Sequence, residues 1–376
     1  MKNILVIPNI PSEKTTRSSD YEIAKVLSES NKVYYLRWEI GAPLSPAARL
    51  RATLKDLFKQ PDTYKENSLH ILELPNFHRP FRFGRTFNRN ILAEWAEKLE
   101  IDFIVSSSFL QFPVAKAAAK YIFHFLDLYS DAESPVMNRL IENHLREEIG
   151  KADAVTACSR GLVESIKSRY KRDAVFIPNG AHVKDFENGN SKERTDILKK
   201  RYGVSNRFIF GCVGNMGKWM NLRFLINSFR KLKKQMPDAA MVLIGPVIDP
   251  DFARADLSKE DIIFTGFVPY GELVDHFRLL DVGLMPNKVS EFQHKAFHLK
   301  IIEYAAAGKI IVSMPLEEIK LLGFPNIIFA GETEDDWAAK LALSRKLPWK
   351  EEWNGLAAPY DWKNIGKQFE NLMKKL

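Results

Sequence analysis

The feature that most constrains this chain is an alternation of short, apolar, β-branched runs with segments of helical length. Six such runs lie in the first half, at 3–8, 32–37, 69–74, 102–107, 121–126 and 153–158. Six more lie in the second half, at 207–214, 239–246, 261–267, 281–286, 309–314 and 326–331. Buried runs of this length, separated by helices, are typical of βαβ units in a parallel sheet. The alternation therefore predicts an α/β protein with two Rossmann-like, doubly wound sheets in tandem.

The boundary between the two sheets is predicted from a polar tract, ENGNSKERTD, that separates the two series of runs. We expect an N-terminal domain over 1–185 and a C-terminal domain over 186–360, followed by a last helix over 361–376 that crosses back to the first domain. A chain of 376 residues, 45% of them hydrophobic, is long enough for two full cores. Two such sheets facing a central cleft would bind a ligand between them.

Several classes of protein are disfavoured by the same sequence. No run approaches the roughly 20 apolar residues of a membrane-spanning helix, and the first residues do not resemble a signal peptide. Cys158 and Cys212 lie far apart and form no CxxC pair, which predicts a reducing cytoplasm and argues against a zinc site. The formal net charge of +8 indicates an anionic partner, namely nucleic acid, anionic lipid or a phosphorylated substrate. Because no zinc-finger spacing, RNP-like run or helix-turn-helix pattern is present, we do not expect nucleic acid.

Two basic stretches, AARLRATLKDLFKQ at 47–60 and FHRPFRFGRTFNR at 77–89, interleave cationic and large apolar residues. One interpretation is a surface helix and a solvated loop. The other is peripheral contact with the inner face of an anionic membrane, where aromatic rings insert and arginines meet lipid phosphates. On the second interpretation, Arg79, Arg82 and Arg85 lie on the acceptor or membrane side.

The ends of the strands in the second half carry the candidate ligand-binding residues, because ligands bind beyond the carboxyl ends of strands in open parallel sheets. In FGCVGNMGKW, Gly214 allows a tight turn before a helix, and backbone N–H groups with Lys218 suit a phosphate. The alternative is a plain βα turn that needs glycine. Gly245, in LIGP, permits close backbone approach, and Phe267 and Val268, in TGFVPYGEL, form a rigid turn against which a planar base could lie.

The stretch HLKIIEYAAAGK, at 298–309, raises a sharper question. Lys300 and Glu303 are spaced i, i+3 and share a helix face. They could form an ordinary surface ion pair. However, the helix begins after an irregular loop at the carboxyl end of a predicted strand, so its first turn is expected to point toward the ligand. There Glu303 could accept the ribose hydroxyls of a nucleotide, while Lys300, His298 and the helix N-terminus face its phosphates.

A series of short motifs in the second half resembles the donor half of a GT-B glycosyltransferase. In chain order they are VGN, KW, NL, LIGP, TGFVPYGEL, DVGLMP and LKIIEYAAAGK. The first half, with FLDLYSD, KADAVTACS and VFIPNGAHVKDF, is similar to bacterial polysaccharide glycosyltransferases of the TuaH-like and GumK-like kind, distantly related to family 4. The resemblance implies that Glu303 binds the donor ribose and that Gly214, Asn215 and Lys218 lie at the diphosphate. It also implies that Phe267 and Val268 flank the base. Asn179 and Gly180 would shape the hinge side of the cleft.

The sequence departs from the family 4 pattern at three places. Lys295 stands where the retaining enzymes have a second glutamate, and the nearest upstream acid is Glu291. Asn215 stands where many of them have an arginine for the diphosphate. The glycine-rich loop after the first strand is replaced by SEKTTRSSDYE, in which Ser18 is assigned to the acceptor side. Both stereochemical outcomes, retention and inversion, therefore stay open.

An inverting transfer needs a general base, and the candidates are Asp127 and Asp131 in FHFLDLYSD, of which Asp127 comes first after the apolar run. Asp131 could equally cap the next helix, and His124 is expected in the core. The resulting prediction is a glycosyltransferase that moves a hexose-type sugar from a nucleoside diphosphate sugar, UDP most of all, to a bacterial surface glycan or its lipid-linked precursor. Neither a metal nor another cofactor is expected, because no DxD lies directly at a strand end, where it could bridge the diphosphate to a cation. A noncatalytic binding protein and a nucleotide-sugar epimerase of the same fold are the alternatives.

Overall fold

The structure is a computed structural model that describes residues 1–10, 18–38, 59–75, 82–115, 119–129, 134–187, 192–252 and 256–376, with the backbone alone for Arg82. The described chain forms two compact units. The first comprises Met1–Asn179 together with Trp362–Leu376, and the second comprises Gly180–Asp361. Within the described residues, no helix is both long and apolar enough to cross a membrane.

The first unit is built on an eight-stranded sheet. Its strands are β1 Asn3–Ile7, β2 Lys32–Arg37, β3 Asp62–Glu66, β4 Leu69–Glu73, β5 Phe103–Ser106, β6 Lys120–Phe125, β7 Ala154–Ala157 and β8 Val175–Phe176. Their order is β3-β4-β2-β1-β5-β6-β7-β8, and every pair is parallel except β3 with β4. The helices are α1 Ser19–Leu27, α2 Arg82–Lys98, α3 Pro135–Lys151, α4 Arg160–Tyr170 and a C-terminal helix Trp362–Met373.

The C-terminal helix belongs to the core of this first unit. Its buried face carries Trp362, Ile365 and Phe369, which join the cluster formed by α1 and the sheet. Gly366 allows the close approach to α1, because a Cβ at this position would lie 3.0 Å from Val26 Cγ2. The apolar spacing of this helix is that of an amphipathic helix with one buried face.

The second unit is built on a six-stranded, wholly parallel sheet. Its strands are β9 Phe208–Val213, β10 Ala239–Ile244, β11 Ile262–Gly266, β12 Val282–Met285, β13 Ile310–Ser313 and β14 Ile327–Phe329, in the order β11-β10-β9-β12-β13-β14. The helices are α5 Val183–Glu187, α6 Lys192–Arg201, α7 Leu222–Lys233, α8 Tyr270–Leu279, α9 Glu291–Lys295, α10 Leu299–Ala306, α11 Glu317–Lys320 and α12 Glu334–Ser344. The predicted α/β class with two doubly wound sheets is confirmed, and each predicted run contains a strand.

Each sheet has a point at which the chain reverses its direction of growth. In the second unit the chain runs from β9 outward to β10 and β11, then returns to the other side of β9 with β12. In the first unit β1 lies between β2 and β5. Ligands of open α/β sheets bind at such switch points, beyond the carboxyl ends of the strands. We therefore expect ligand-binding residues on the segments that follow β9 and β12 and on those that follow β1 and β5.

Two features of the first unit differ from the sequence prediction. Strand β3 has the sequence DTYKE and is largely exposed, so it lacks the apolar run by which the other strands were recognised. Residues 82–89 were considered part of a solvated loop, but they form the start of α2.

Candidate functional site

Glycines at the ends of β9 and β10 bring two backbone segments into contact at the switch point of the second unit. Gly214 has φ +132° and Gly245 has φ +129°, which side-chain-bearing residues rarely adopt. A Cβ added at Gly245 would lie 2.1 Å from the carbonyl oxygen of Gly214, so no side chain fits there. The Gly214 N–H donates to the Ile244 carbonyl at 2.9 Å. Gly214 and Gly245 thus form a surface made of backbone, here called the glycine floor, which a ligand can approach closely.

Lys300 lies across this glycine floor. A Cβ added at Gly214 would lie 3.7 Å from Lys300 Cε, which is ordinary van der Waals contact. Lys300 stands in the first turn of α10, on the segment that follows β12, and Gly214 follows the neighbouring strand β9. The topology therefore brings together two residues that are far apart in sequence.

Glu303 accepts a hydrogen bond from this lysine. The Lys300 Nζ to Glu303 Oε2 distance is 2.6 Å, and the side chains are 28% and 9% exposed. Within the described part of the chain, the other carboxylate oxygen of Glu303 has no hydrogen-bond donor. Lys300 Nζ also lies 5.7 Å from the centre of the Phe277 ring. The pair is thus held in place, partly buried, and still has one acceptor oxygen and a cation to offer to a ligand.

Tyr304 fixes α10 in this position, and sequence reasoning missed it. Its hydroxyl accepts from the Val213 N–H at 2.9 Å and lies 3.3 Å from the carbonyl oxygens of Gly211 and Leu284. The ring is fully buried against Gly283, where a Cβ would come within 2.5 Å of it. Burial raises the pKa of the Tyr304 hydroxyl. The sequence does contain the two residues that pack together, a large side chain on α10 and a glycine in β12, but their contact is visible only when the helix lies against the sheet.

The other residues predicted to bind the donor differ in how far they are exposed to solvent. Asn215 and Lys218 are exposed on the turn after β9. After β11, Phe267 is 66% exposed while Val268 is buried at 8%. An exposed phenyl ring at a strand end is available for contact with a planar group.

His298 differs from its predicted role as a phosphate-facing cation. It is 7% exposed, and its Nε2 donates to the Gln293 carbonyl at 2.8 Å. Burial lowers the pKa of His298 to about 4, so the ring is neutral at pH 7. His298 therefore joins the end of α9 to the start of α10. Lys295, the departure noted in the sequence, forms an i, i+4 ion pair with Glu291 at 2.7 Å.

In the first unit, Asp127 follows β6 directly and is partly exposed. One carboxylate oxygen accepts from the Leu128 N–H at 2.9 Å. Burial raises the pKa of Asp127 to about 6, which is near the value that suits a general base at neutral pH. His124 is a core residue, as predicted: it is 1% exposed and its Nδ1 lies 2.8 Å from Thr156 Oγ1. Asp131 lies outside the described residues.

The acceptor-side arginines are only partly described. Arg79 and most of the 47–60 stretch lie outside the described residues, as does the side chain of Arg82. Arg85 requires a correction, because its side chain is 8% exposed and bonds to the Phe109 and Leu110 carbonyls and to Glu147 at 3.0 Å. It cannot meet a lipid phosphate without leaving these buried partners.

Ser18 and the predicted hinge residues have simple structural positions. The Ser18 hydroxyl accepts from the Tyr21 N–H at 3.2 Å and caps α1. The division between the two units falls between Asn179 and Gly180. Among the described residues, no group of three or more His, Cys, Asp or Glu side chains is arranged to hold a metal ion.

Two α/β units, each built on a predominantly parallel, doubly wound sheet, are the architecture of the GT-B fold of glycosyltransferases. Residues 207–343 match the family described as Glycosyl transferases group 1, so the second unit contains a domain of that family. The match lies where the glycine floor, Lys300 and Glu303 lie.

Two curated relatives are similar in sequence. TuaH of Bacillus subtilis, described as a teichuronic acid biosynthesis glycosyltransferase, is 24% identical over 254 residues, which cover 64% of this chain and 61% of TuaH. The GDP-mannose-dependent α-(1–6)-phosphatidylinositol monomannoside mannosyltransferase of Mycolicibacterium smegmatis is 24% identical over 197 residues, half of each chain. The matches thus span less than two thirds of the length of either relative.

Solved structures share the fold along the whole chain. A glycosyltransferase from Rickettsia africae superposes with a TM-score of 0.74 at 16% identity, covering 100% of this chain and 98% of its own. Anabaena HepE, solved in complex with UDP, superposes with a TM-score of 0.70 at 14% identity, covering 100% of both chains. At these identities the likeness concerns the fold, and it confirms the GT-B architecture predicted from the sequence.

Proposed function

We propose that this protein is a glycosyltransferase that moves a sugar from a nucleoside diphosphate sugar, with UDP the favoured nucleotide, to a bacterial surface glycan or its lipid-linked precursor. The observation that carries the proposal is the position of Lys300 over Gly214, with Glu303 bonded to that lysine, at the switch point of a Glycosyl transferases group 1 domain. HepE, which shares the fold, binds UDP and UDP-glucose in its solved complexes. The description of TuaH favours a surface glycan, and that of the mannosyltransferase favours a lipid-linked acceptor.

On the donor side, each group has a distinct task. The second carboxylate oxygen of Glu303 accepts the ribose hydroxyls, and Lys300 faces the diphosphate across the glycine floor. Lys218 and the backbone N–H groups of the turn after β9 add positive potential where negative charge develops on the leaving group. Phe267 lies against the base. Because these groups stabilise the leaving diphosphate directly, we propose a metal-independent transfer of a hexosyl group, with the expectation that EDTA leaves the rate unchanged.

On the acceptor side, Asp127 is the proposed base of an inverting transfer. The acceptor hydroxyl loses its proton to the Asp127 carboxylate as its oxygen bonds to the anomeric carbon. The bond from that carbon to the diphosphate oxygen breaks, and the nucleoside diphosphate leaves with the electron pair. In a retaining transfer Asp127 would bind the acceptor without taking the proton.

A peripheral contact with an anionic membrane face is proposed for the first unit. Phe83 at the start of α2 is 71% exposed, and Val136 at the start of α3 is 82% exposed. Apolar side chains of this kind can insert at a lipid interface. Flotation with phosphatidylglycerol vesicles tests the contact: we expect wild type to float and a Phe83→Ser, Val136→Ser double variant to stay at the bottom. Equal flotation of the two proteins would contradict it.

The central experiment is a thermal-shift screen of UDP-, GDP-, ADP-, dTDP- and CMP-sugars on three proteins. These are wild type, Glu303→Ala and, as a matched control, Glu260→Ala, which removes a bidentate ion pair with Arg230 before β11. A ligand at 100 times its Kd should stabilise the protein by about 2.7 kcal/mol. We expect one nucleotide class to stabilise wild type and Glu260→Ala, and Glu303→Ala to lose most of that shift. If no nucleotide stabilises wild type, the proposed function is wrong.

One observation favours a second candidate, a noncatalytic sugar-nucleotide or glycan binding protein. Lys295, paired with Glu291, stands where retaining relatives have a glutamate. A nucleotide-sugar epimerase would instead interconvert the donor without releasing UDP. Mixing the donor with a lipid extract separates the three candidates: a transferase releases UDP with the acceptor, an epimerase changes the sugar, and a binding protein does neither.

A further inference from the structure

A buried carboxyl group, Asp20, lies at the switch point of the first unit. It stands in the first turn of α1 and is 3% exposed. The Ser107 hydroxyl donates to Asp20 Oδ1 at 2.7 Å, and the Asn9 N–H approaches Asp20 Oδ2 at 3.4 Å and Ser107 Oγ at 2.9 Å. Asn9 follows β1 and Ser107 follows β5, so Asp20 joins the ends of the two central strands at the edge of the sheet where ligands bind.

Stability alone does not explain a carboxyl group at this position. Asp20 has no cationic partner among the residues that the structure describes. Burial raises the pKa of Asp20 to about 6, so near neutral pH the carboxylate carries a charge that no described side chain compensates. The hydroxyl of the neighbouring Tyr35 is also buried, with the residue 1% exposed. Burial and the charge of Asp20 both raise the pKa of Tyr35. Asparagine in place of Asp20 would avoid the cost of the buried charge.

The opposite edge of the same two strands offers a direct comparison. There Asp102 accepts from the Asn3 N–H at 2.9 Å and joins the starts of β1 and β5. Its side chain is 38% exposed and pairs with Lys2 at 3.3 Å. The structural task of joining β1 to β5 is thus performed at the amino edge by a solvated, charge-compensated carboxylate. At the other edge the carboxylate of Asp20 is buried, and no cationic side chain among the described residues pairs with it.

Asp20 is also linked to the proposed acceptor base. Tyr129 provides the link, because its N–H donates to the backbone carbonyl of Asp127 at 3.1 Å. The Tyr129 ring packs 4.8 Å from that of Phe109, on the segment after β5. Buried polar groups retained at a cost in stability cluster at functional sites.

We propose that Asp20 is a positioning residue for the acceptor: it holds the segments at Asn9 and Ser107 in the arrangement that presents an acceptor hydroxyl to Asp127. The acceptor class is a polyhydroxylated sugar, and the inference rests on the proposed function. Asp20 acts through the backbone of Asn9 and the hydroxyl of Ser107, and it is not proposed to touch the reacting atoms.

The test compares Asp20→Asn and Ser107→Ala with the matched control Asp102→Asn in the full chain. UDP release is measured from the stabilising donor, with water alone and with octyl β-D-glucopyranoside as soluble acceptor. We expect Asp20→Asn and Ser107→Ala to slow acceptor-dependent release at least about tenfold, since small misplacements at a reacting centre cost this much or more. Release to water and the nucleotide-induced rise in Tm should match wild type in all three variants.

Melting without ligand at pH 7.5 gives an independent readout. Asp20→Asn should melt at or above the Tm of wild type, because it removes a buried charge, and Asp102→Asn should melt below it. The proposal is overturned if Asp20→Asn melts well below wild type, as the control does, or if it leaves acceptor-dependent release unchanged. Failure of the proposed function would appear elsewhere, as the absence of any nucleotide-induced shift in wild type.

Discussion

The sharpest prediction concerns Tyr304, the residue that holds α10 against the end of β9. In a Tyr304→Phe variant the ring still fills the space over Gly283, but the Val213 N–H loses its acceptor at 2.9 Å. Val213 is 4% exposed, so water does not easily replace the hydroxyl. An unsatisfied buried N–H costs about 1–3 kcal/mol. A loss of about 2 kcal/mol should lower the Tm of a unit of this size by roughly 4–8 °C.

The same change should also weaken nucleotide binding, although Tyr304 is fully buried and presents no surface to a ligand. The hydroxyl ties the helix of Glu303 and Lys300 to the strand that ends at Gly214, so its loss lets the two parts of the site shift apart. We expect the Kd of the stabilising nucleotide to rise about tenfold, which corresponds to about 1.4 kcal/mol. Isothermal titration calorimetry measures the Kd, and differential scanning calorimetry measures the Tm.

Tyr202→Phe is the matched control for this prediction. The Tyr202 hydroxyl lies 2.9 Å from His276 Nε2, between α6 and α8 of the same unit, and the residue is partly exposed. Its loss should cost about 0.5–1.5 kcal/mol and leave the Kd unchanged. If both variants lower the Tm while neither changes the Kd, the role of Tyr304 is structural only and the reasoning is refuted.

Three further predictions follow from the same geometry. Gly245→Ala should destabilise the second unit and abolish nucleotide binding in calorimetry, because its Cβ would lie 2.1 Å from the Gly214 carbonyl oxygen. In an inverting transfer, the rate should rise with pH through about 6 and then level off, because the Asp127 carboxyl must lose its proton before it can act as the base. Asp127→Asn should remove this rise from the pH–rate profile and lower kcat at least about 100-fold. Phe369→Ala should destabilise the first unit by about 3–5 kcal/mol in urea unfolding, while the nucleotide Kd measured in the absence of denaturant stays unchanged.

The fold was predictable because buried parallel strands appear in the sequence as short, nearly continuous apolar runs. Each run of β-branched and aromatic residues became a strand, and most of these strands are buried along their length. Strand β3 was missed for the same reason: it is an exposed, antiparallel edge strand whose sequence, DTYKE, is polar. Residues 82–89 were considered part of a loop because the arginines suggested solvent. In the structure they begin α2, and Arg85 is buried with carbonyl partners.

The candidate site was predictable where its residues stand at strand ends and not where they act across the sheet. Gly214 and Gly245 could be picked out because they directly follow strands of a parallel sheet, and Glu303 because it lies near the start of a helix at the same edge of that sheet. Tyr304 and Asp20 could not, because their partners are backbone groups of strands adjacent only in the folded sheet. His298 was misread because the sequence does not show that its ring is buried and bonded to the Gln293 carbonyl.

The candidate carboxylates of the two units differ in their electrostatic surroundings, and the difference matches the chemistry proposed for each unit. In the second unit the Glu303 carboxylate has a lysine 2.6 Å away, and its other oxygen can accept ribose hydroxyls while the lysine serves the diphosphate. In the first unit burial raises the pKa of Asp127, the proposed base, to about 6. A group that must take a proton at neutral pH needs such a raised value, because a carboxylate of ordinary pKa is too weak a base. A cation beside Asp127 would lower that pKa and weaken the base.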